Sequence, residues 1–88
     1  MRPLHLIAQE ILRHRSARIA KGNPPNWTTW ALPYLHAMVT MRDAKQAYGA
    51  DSGTSVVAYG LSNLEGFRGP DAKRLKAELR EHLDAATR

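Results

Sequence analysis

Ser52-Gly53-Thr54-Ser55-Val56-Val57-Ala58-Tyr59-Gly60-Leu61-Ser62-Asn63-Leu64-Glu65-Gly66 is the stretch that decides between an all-α and a mixed fold. Val56, Val57 and Tyr59 suit a strand, because branched and aromatic side chains pack well on a pleated surface. The apolar positions nevertheless run Gly53, Val56, Val57, Gly60, Leu61, Leu64 and Phe67, which is one face of a helix and not the alternation of a strand. Asp51 or Ser52 is placed to cap such a helix. A glycine in a helix interior costs about 1 kcal/mol relative to alanine, so Gly60 points to a neighbouring helix packed closely against it. The stretch is therefore predicted helical over 52–66.

The same reading extends outward. Leu4, Ile7, Ala8, Ile11 and Leu12 recur at i, i+3, i+4, i+7 and i+8, which predicts an amphipathic helix over 3–20, with Gly22-Asn23-Pro24-Pro25-Asn26 as its stop. Tyr34, Ala37, Met38, Met41, Ala44 and Tyr48 form a second stripe. It predicts a helix over 33–48 with Pro33 in its first turn, Trp27-Thr28-Thr29-Trp30 as a cap or lead-in turn, and Gly49 as its end. After Gly66-Phe67-Arg68-Gly69, Pro70 and Asp71 open a last helix over 70–86 in a favourable order for the helix dipole. Its apolar face is Ala72, Leu75, Leu79, Leu83 and Ala86, with Arg74/Glu78 and Arg80/Asp84 at i, i+4 on the outside. The expected fold is all-α: a compact bundle of about four helices forming a single domain over 1–88.

Eighty-eight residues with ten Leu, three Ile, three Val, two Trp and three Tyr suffice for one core and not for two. The chain has no Cys, so disulfides and thiolate metal sites are excluded. Gln9, Glu10 and Arg13 interrupt the first apolar segment, so neither a secretory signal nor a membrane span is expected, and the setting expected is cytoplasmic. The net charge is +5. Five Lys/Arg against one Glu lie within residues 1–25, whereas the remainder is nearly balanced, so an acidic partner would be drawn to the first helix.

Templates for chemistry fail on spacing. No Gly-x-Ser-x-Gly elbow or phosphate-cradling glycine cluster occurs, and Ser52, Thr54 and Ser55 read as helix-start residues. Glu10/His14 and Glu78/His82 are i, i+4 pairs that could meet if the first and last helices were neighbours. Di-metal bundles use Glu-x-x-His at i, i+3 with further carboxylates, so surface Glu–His pairing is the expectation. No enzyme, cofactor or metal is expected. A helix-turn-helix drawn from Val56 to Leu83 is disfavoured, because Asp71, Glu78, Glu81 and Asp84 offset the basic residues of its second helix.

The most function-like cluster is Arg13, Arg15, Arg18 and Lys21, with His14 among them, followed by Trp27 and Trp30. Without His14, the six Lys, Arg and Trp side chains of this cluster are the candidate partner-binding residues. Arg and Trp dominate protein interfaces, while a basic segment over 13–21 beside an exposed indole also suits a nucleic-acid strand. The bland alternative is a solvated helix end with tryptophans in the core. A homodimer through an adaptable Met38/Met41 stripe is a further expectation.

Three stretches, Ala31–Met38, Tyr48-Gly49-Ala50-Asp51-Ser52-Gly53 through Tyr59, and Phe67-Arg68-Gly69-Pro70 through Leu79, together resemble small helical proteins encoded by tailed phages of actinobacteria. The similarity covers roughly residues 1–12 and 30–83 and departs at the basic segment Arg13–Asn26. It implies the cytoplasm of an infected bacterial host and a role in binding a host or phage protein, with no catalytic residue to carry over.

Overall fold

Leu4, Ile7, Ala8 and Ile11, the apolar stripe of the first segment, are all buried on helix α1 (Leu4–Ala20) of a computed structural model, which describes residues 1–87, with the backbone alone for Thr28. The chain continues through α2 (Thr28–Met38), strands β1 (Ala47–Tyr48) and β2 (Asp51–Ser52), α3 (Gly53–Ser62) and α4 (Pro70–Thr87). The fold is mostly helical, as the periodicities predict, with a small antiparallel hairpin that they do not predict. Each helix packs on its neighbours in sequence, α2 on α3 most extensively although the hairpin connects them, and α1 also packs on α4. One cluster of buried side chains draws on all four helices.

The glycine stop of α1 is built as anticipated. Gly22 has φ +75°, its N–H donates to the Ile19 carbonyl at 2.9 Å, and the Asn23 N–H donates to the Arg18 carbonyl at 3.0 Å. This is a Schellman ending, with glycine at the left-handed position that a side chain would strain.

The second helix departs from the predicted 33–48. It begins at Thr28, holds Pro33 in its interior and ends at Met38. Burial explains the early start, since Trp27, Ala31, Leu35 and Met38 are buried at helical spacing. Pro33 lacks the N–H that would bond the Thr29 carbonyl, but both residues are exposed, so water can serve that carbonyl. The early end has a separate cause. Helix α1 opens on Pro3 without a side-chain cap, and its first N–H groups need acceptors. The Arg42 carbonyl accepts from the Leu4 N–H at 2.8 Å and the Met41 carbonyl from the His5 N–H at 2.9 Å. A helix through 48 would commit both carbonyls to its own ladder. Met41 and Ala44 stay buried in the irregular segment instead.

Gly49 therefore ends no helix. It has φ +60° between the paired residues Tyr48 and Asp51, with Ala50 at negative φ, the pattern of a type II′ hairpin turn. Ser52 closes the hairpin and caps α3, its Oγ accepting from the Ser55 N–H at 3.1 Å. The predicted 52–66 helix shortens to Gly53–Ser62. The Asn63 amide donates to the Tyr59 carbonyl at 2.8 Å and draws the backbone into turns. Leu64 and Phe67 are nevertheless buried, as the helical face required. Gly60 packs as expected: a β-carbon there would lie 2.7 Å from Met38 Cε and 3.3 Å from Tyr34 Cβ. The last helix matches its predicted range, with Ala72, Leu75 and Leu79 buried.

Candidate functional site

The predicted cluster separates into core and surface. Trp27 is 5% exposed and packs on Phe67, ring centroids 4.8 Å apart, with its Nε1 buried and unpaired among the described residues. It is a core residue and cannot anchor a partner. Trp30, three positions on, is 70% exposed. Arg13, Arg18 and Lys21 are exposed on the last turns of α1 and its cap. Arg15 is half-buried, and its Nε is buried without a hydrogen-bond partner among the described residues. No ring contact among the described residues joins Trp30 to these basic groups. Met38 and Met41 are fully buried, so they offer no adaptable surface for self-association.

Of the two Glu/His pairs, the glutamates meet and the histidines do not join them. Helices α1 and α4 are neighbours, and Glu10 and Glu78 converge on two arginines. Arg2 donates from Nε and Nη2 to the two Glu78 oxygens, both at 2.7 Å, and its Nη2 lies 3.0 Å from Glu10. Arg74 donates to Glu10 and, at 3.1 Å, to Glu78. Hydrogen bonding to Arg74 holds the Glu10 carboxyl below the usual carboxylate range, and bonding to Arg2 does the same for Glu78, against the opposing effect of burial. The guanidinium of Arg2 is correspondingly raised, chiefly by Glu78. His82 is not a surface partner of Glu78. It is 3% exposed, with Nε2 2.6 Å from the Arg2 carbonyl. His14 turns to Asp71, 3.6 Å away, with its ring against Phe67. Among the described residues, no group of three or more His, Asp or Glu is placed to hold a metal ion.

A site that the sequence reading missed lies between α2, the hairpin and α3. A cleft of about 270 Å3 is lined by Pro33, Tyr34 and Ala37 from α2, Tyr48 and Asp51 from the hairpin, and Ser55, Val56 and Tyr59 from α3. All three tyrosines of the chain converge here. The rings of Tyr34 and Tyr59 lie 5.9 Å apart, tilted by 35°. Tyr59 is 58% exposed and Tyr48 is 43% exposed. Among the described residues, no phenol hydroxyl is hydrogen-bonded and the Asp51 carboxylate has no ion-pair partner. Trp30 and Pro33 stand one helical turn before Tyr34 and Ala37 on α2, so the exposed indole continues this aromatic surface.

The pairing of Tyr34 with Tyr59 follows from Gly60, which lets α3 approach α2 closely. Gly53 positions the other wall, since a β-carbon there would lie 2.2 Å from the Gln46 carbonyl oxygen and 2.5 Å from that of Ala44. The signal for the hairpin was Gly49-Ala50 between Tyr48 and Asp51, which a helical reading of 33–48 hides. A wider hollow of about 530 Å3 beside Met41 and Arg42 is open, and its polar groups serve one another. There the Gln46 amide oxygen accepts from the Arg42 N–H and Asp43 from the Lys45 N–H.

No protein-family model matches the chain, and no curated protein or solved structure matches it significantly. No helix among the described residues is long and apolar enough to cross a membrane.

Proposed function

We propose that this chain is a non-enzymatic interaction protein of a tailed actinobacterial phage, a helical-bundle module that binds a host or phage protein in the cytoplasm of the infected cell. The observation that carries the reading is Trp30, an indole 70% exposed at the edge of a tyrosine-lined surface. Leaving so large an apolar ring in water is unfavourable, and tryptophan is among the residue types most enriched in the anchors of protein interfaces. The phage setting rests on the resemblance of the three stretches quoted above. The basic residues Arg13, Arg18 and Lys21 supply a positive flank that would steer an acidic partner surface.

Trp30→Ala should leave the helical signal and melting temperature within a few degrees of wild type while abolishing capture of the partner from lysate of an actinobacterial host. Equal capture by the variant, or no stoichiometric partner for wild type, overturns the reading. Self-association through the same indole would appear as a sedimentation coefficient that rises with concentration in wild type and not in the variant.

A second reading, nucleic-acid binding, draws on the exposed basic residues at the end of α1. With Trp27 in the core and Arg15 half-buried, that surface has fewer groups than the segment suggested. It predicts DNA or RNA retardation at low salt that falls steeply with added salt. Absence of retardation removes it.

A further inference from the structure

We infer that the three-tyrosine cleft is an aromatic cage for one basic side chain, arginine or lysine, presented by the partner protein. The inference rests on the interaction-module reading and adds what the site recognises. Tyrosine rings carry a negative face that attracts guanidinium and ammonium groups within about 6 Å of the ring centre. Here Tyr34, Tyr48 and Tyr59 come from three different elements onto one hollow, with the Tyr34 and Tyr59 rings paired side by side as one of its walls. Asp51 completes the set with a carboxylate that has no ion-pair partner among the described residues.

Charge complementarity sets the class of occupant. The protein carries +5 overall, yet this cleft contains one acidic side chain and no Lys, Arg or His. A cation would be repelled from the basic end of α1 and accepted here. Size sets the scale, since about 270 Å3 lies below the roughly 300–1,000 Å3 of typical small-molecule sites and suits a single inserted side chain. The unbonded phenol hydroxyls and Ser55 give the N–H groups of such a side chain further acceptors at the rim.

The test is an amide-shift NMR titration of the full chain with capped pentapeptides Gly-Gly-X-Gly-Gly, where X is arginine, lysine or citrulline, the neutral counterpart of arginine. Arginine or lysine peptides should shift resonances of Tyr34, Tyr48, Asp51 and Tyr59, with citrulline about two- to thirtyfold weaker, the range spanned by cation–π attraction. Asp51→Asn and Tyr59→Leu should each lower the affinity at least about fivefold, while Tyr59→Phe, which keeps the ring, should hold it within about twofold. Tyr48→Leu serves in place of Tyr59→Leu if that variant loses its fold. Equal binding of citrulline overturns the cage in favour of an uncharged groove. Binding of tetramethylammonium without either basic peptide overturns the protein side chain as occupant. Shifts at the same residues that grow with protein concentration alone would make a second copy the source and overturn the assignment to another protein. Failure of every probe, with Trp30-dependent capture intact, removes the cage and leaves the interaction module standing.

Discussion

Gly53→Ala tests the packing that builds the cleft, and its effect can be worked from distances. Gly53 has no positive φ, so alanine meets no backbone strain there. Its β-carbon would lie 2.2 Å from the Gln46 oxygen, 2.5 Å from the Ala44 oxygen and 2.9 Å from the Ala44 carbonyl carbon. All three are main-chain atoms in the segment whose carbonyls at Met41 and Arg42 cap α1, so relief requires the backbone to move by about an ångström. Overpacking of a tight site costs about 1–3 kcal/mol, and more when the backbone must shift. We expect about 3 kcal/mol, which for a chain of this size lowers the melting temperature by roughly 12–24 °C. Gly49→Ala is the internal control. Gly49 has φ +60° and nothing within 4 Å of a β-carbon, so alanine meets no clash and incurs only the penalty of a positive φ, about 1–2 kcal/mol. Circular-dichroism melts and urea titrations of the two variants read the difference. If Gly53→Ala is within about 0.5 kcal/mol of wild type, the effect of an ordinary surface change, or is milder than Gly49→Ala, the contact between α3 and residues 44–46 is wrong, and with it the placement of Asp51.

Acid should weaken the fold through Glu10 and Glu78. Their folded pKa values lie below the ordinary 4.5, so the unfolded chain binds more protons as pH falls; their stabilisation is complete above about 4.5 and lost as pH drops through the folded values. The urea midpoint should fall between pH 5 and pH 3, and Glu78→Gln should flatten that slope and cost about 1 kcal/mol at pH 7, less in high salt; an unchanged slope contradicts the pairing. Trp30→Phe should leave a single blue-shifted emission shielded from acrylamide, that of Trp27 against Phe67, and a red, freely quenched emission would place Trp27 outside the core. Leu79→Ala should lose about 2–5 kcal/mol by chemical denaturation, because the side chain is fully buried; a loss under about 1 kcal/mol would be inconsistent with that burial.

What the sequence made legible depended on whether an element is held by its own periodicity or by a distant one. Helix α4 was readable from end to end because Gly69, Pro70 and the stripe through Leu79 are all local signals. The face of α3 was readable even past its helix, since Leu64 and Phe67 are buried from a turn. Helix α2 was misread because two distant demands shape it. Trp27 must reach Phe67, which pulls the helix start one turn earlier, and the start of α1 claims the carbonyls of Met41 and Arg42, which ends the helix early. Neither demand leaves a mark within residues 33–48. The candidate site suffered from the same error. Once 33–48 is read as a helix, Tyr48 and Asp51 fall on opposite sides of a helix break and nothing brings them to Tyr59. Trp30 alone of the two indoles stayed a surface candidate, and telling it from Trp27 required the register of α2.

The clasp of Arg2 with Glu78 and His82 bears on how the chain acquires its structure during synthesis. Helix α1 is made before the other helices, yet its opening N–H groups wait for residues 41 and 42, and the α4 partners of Arg2 and Glu10, which are Glu78, His82 and Arg74, lie 64 to 80 positions downstream. While it emerges from the ribosome, that segment lacks the acceptors for its first N–H groups and the charges of α4, and a helix of this length is marginal alone. Of the four helices, the first made is therefore the last to be secured, and a ribosome stalled before residue 74 would display a basic, half-apolar segment instead of a folded intermediate.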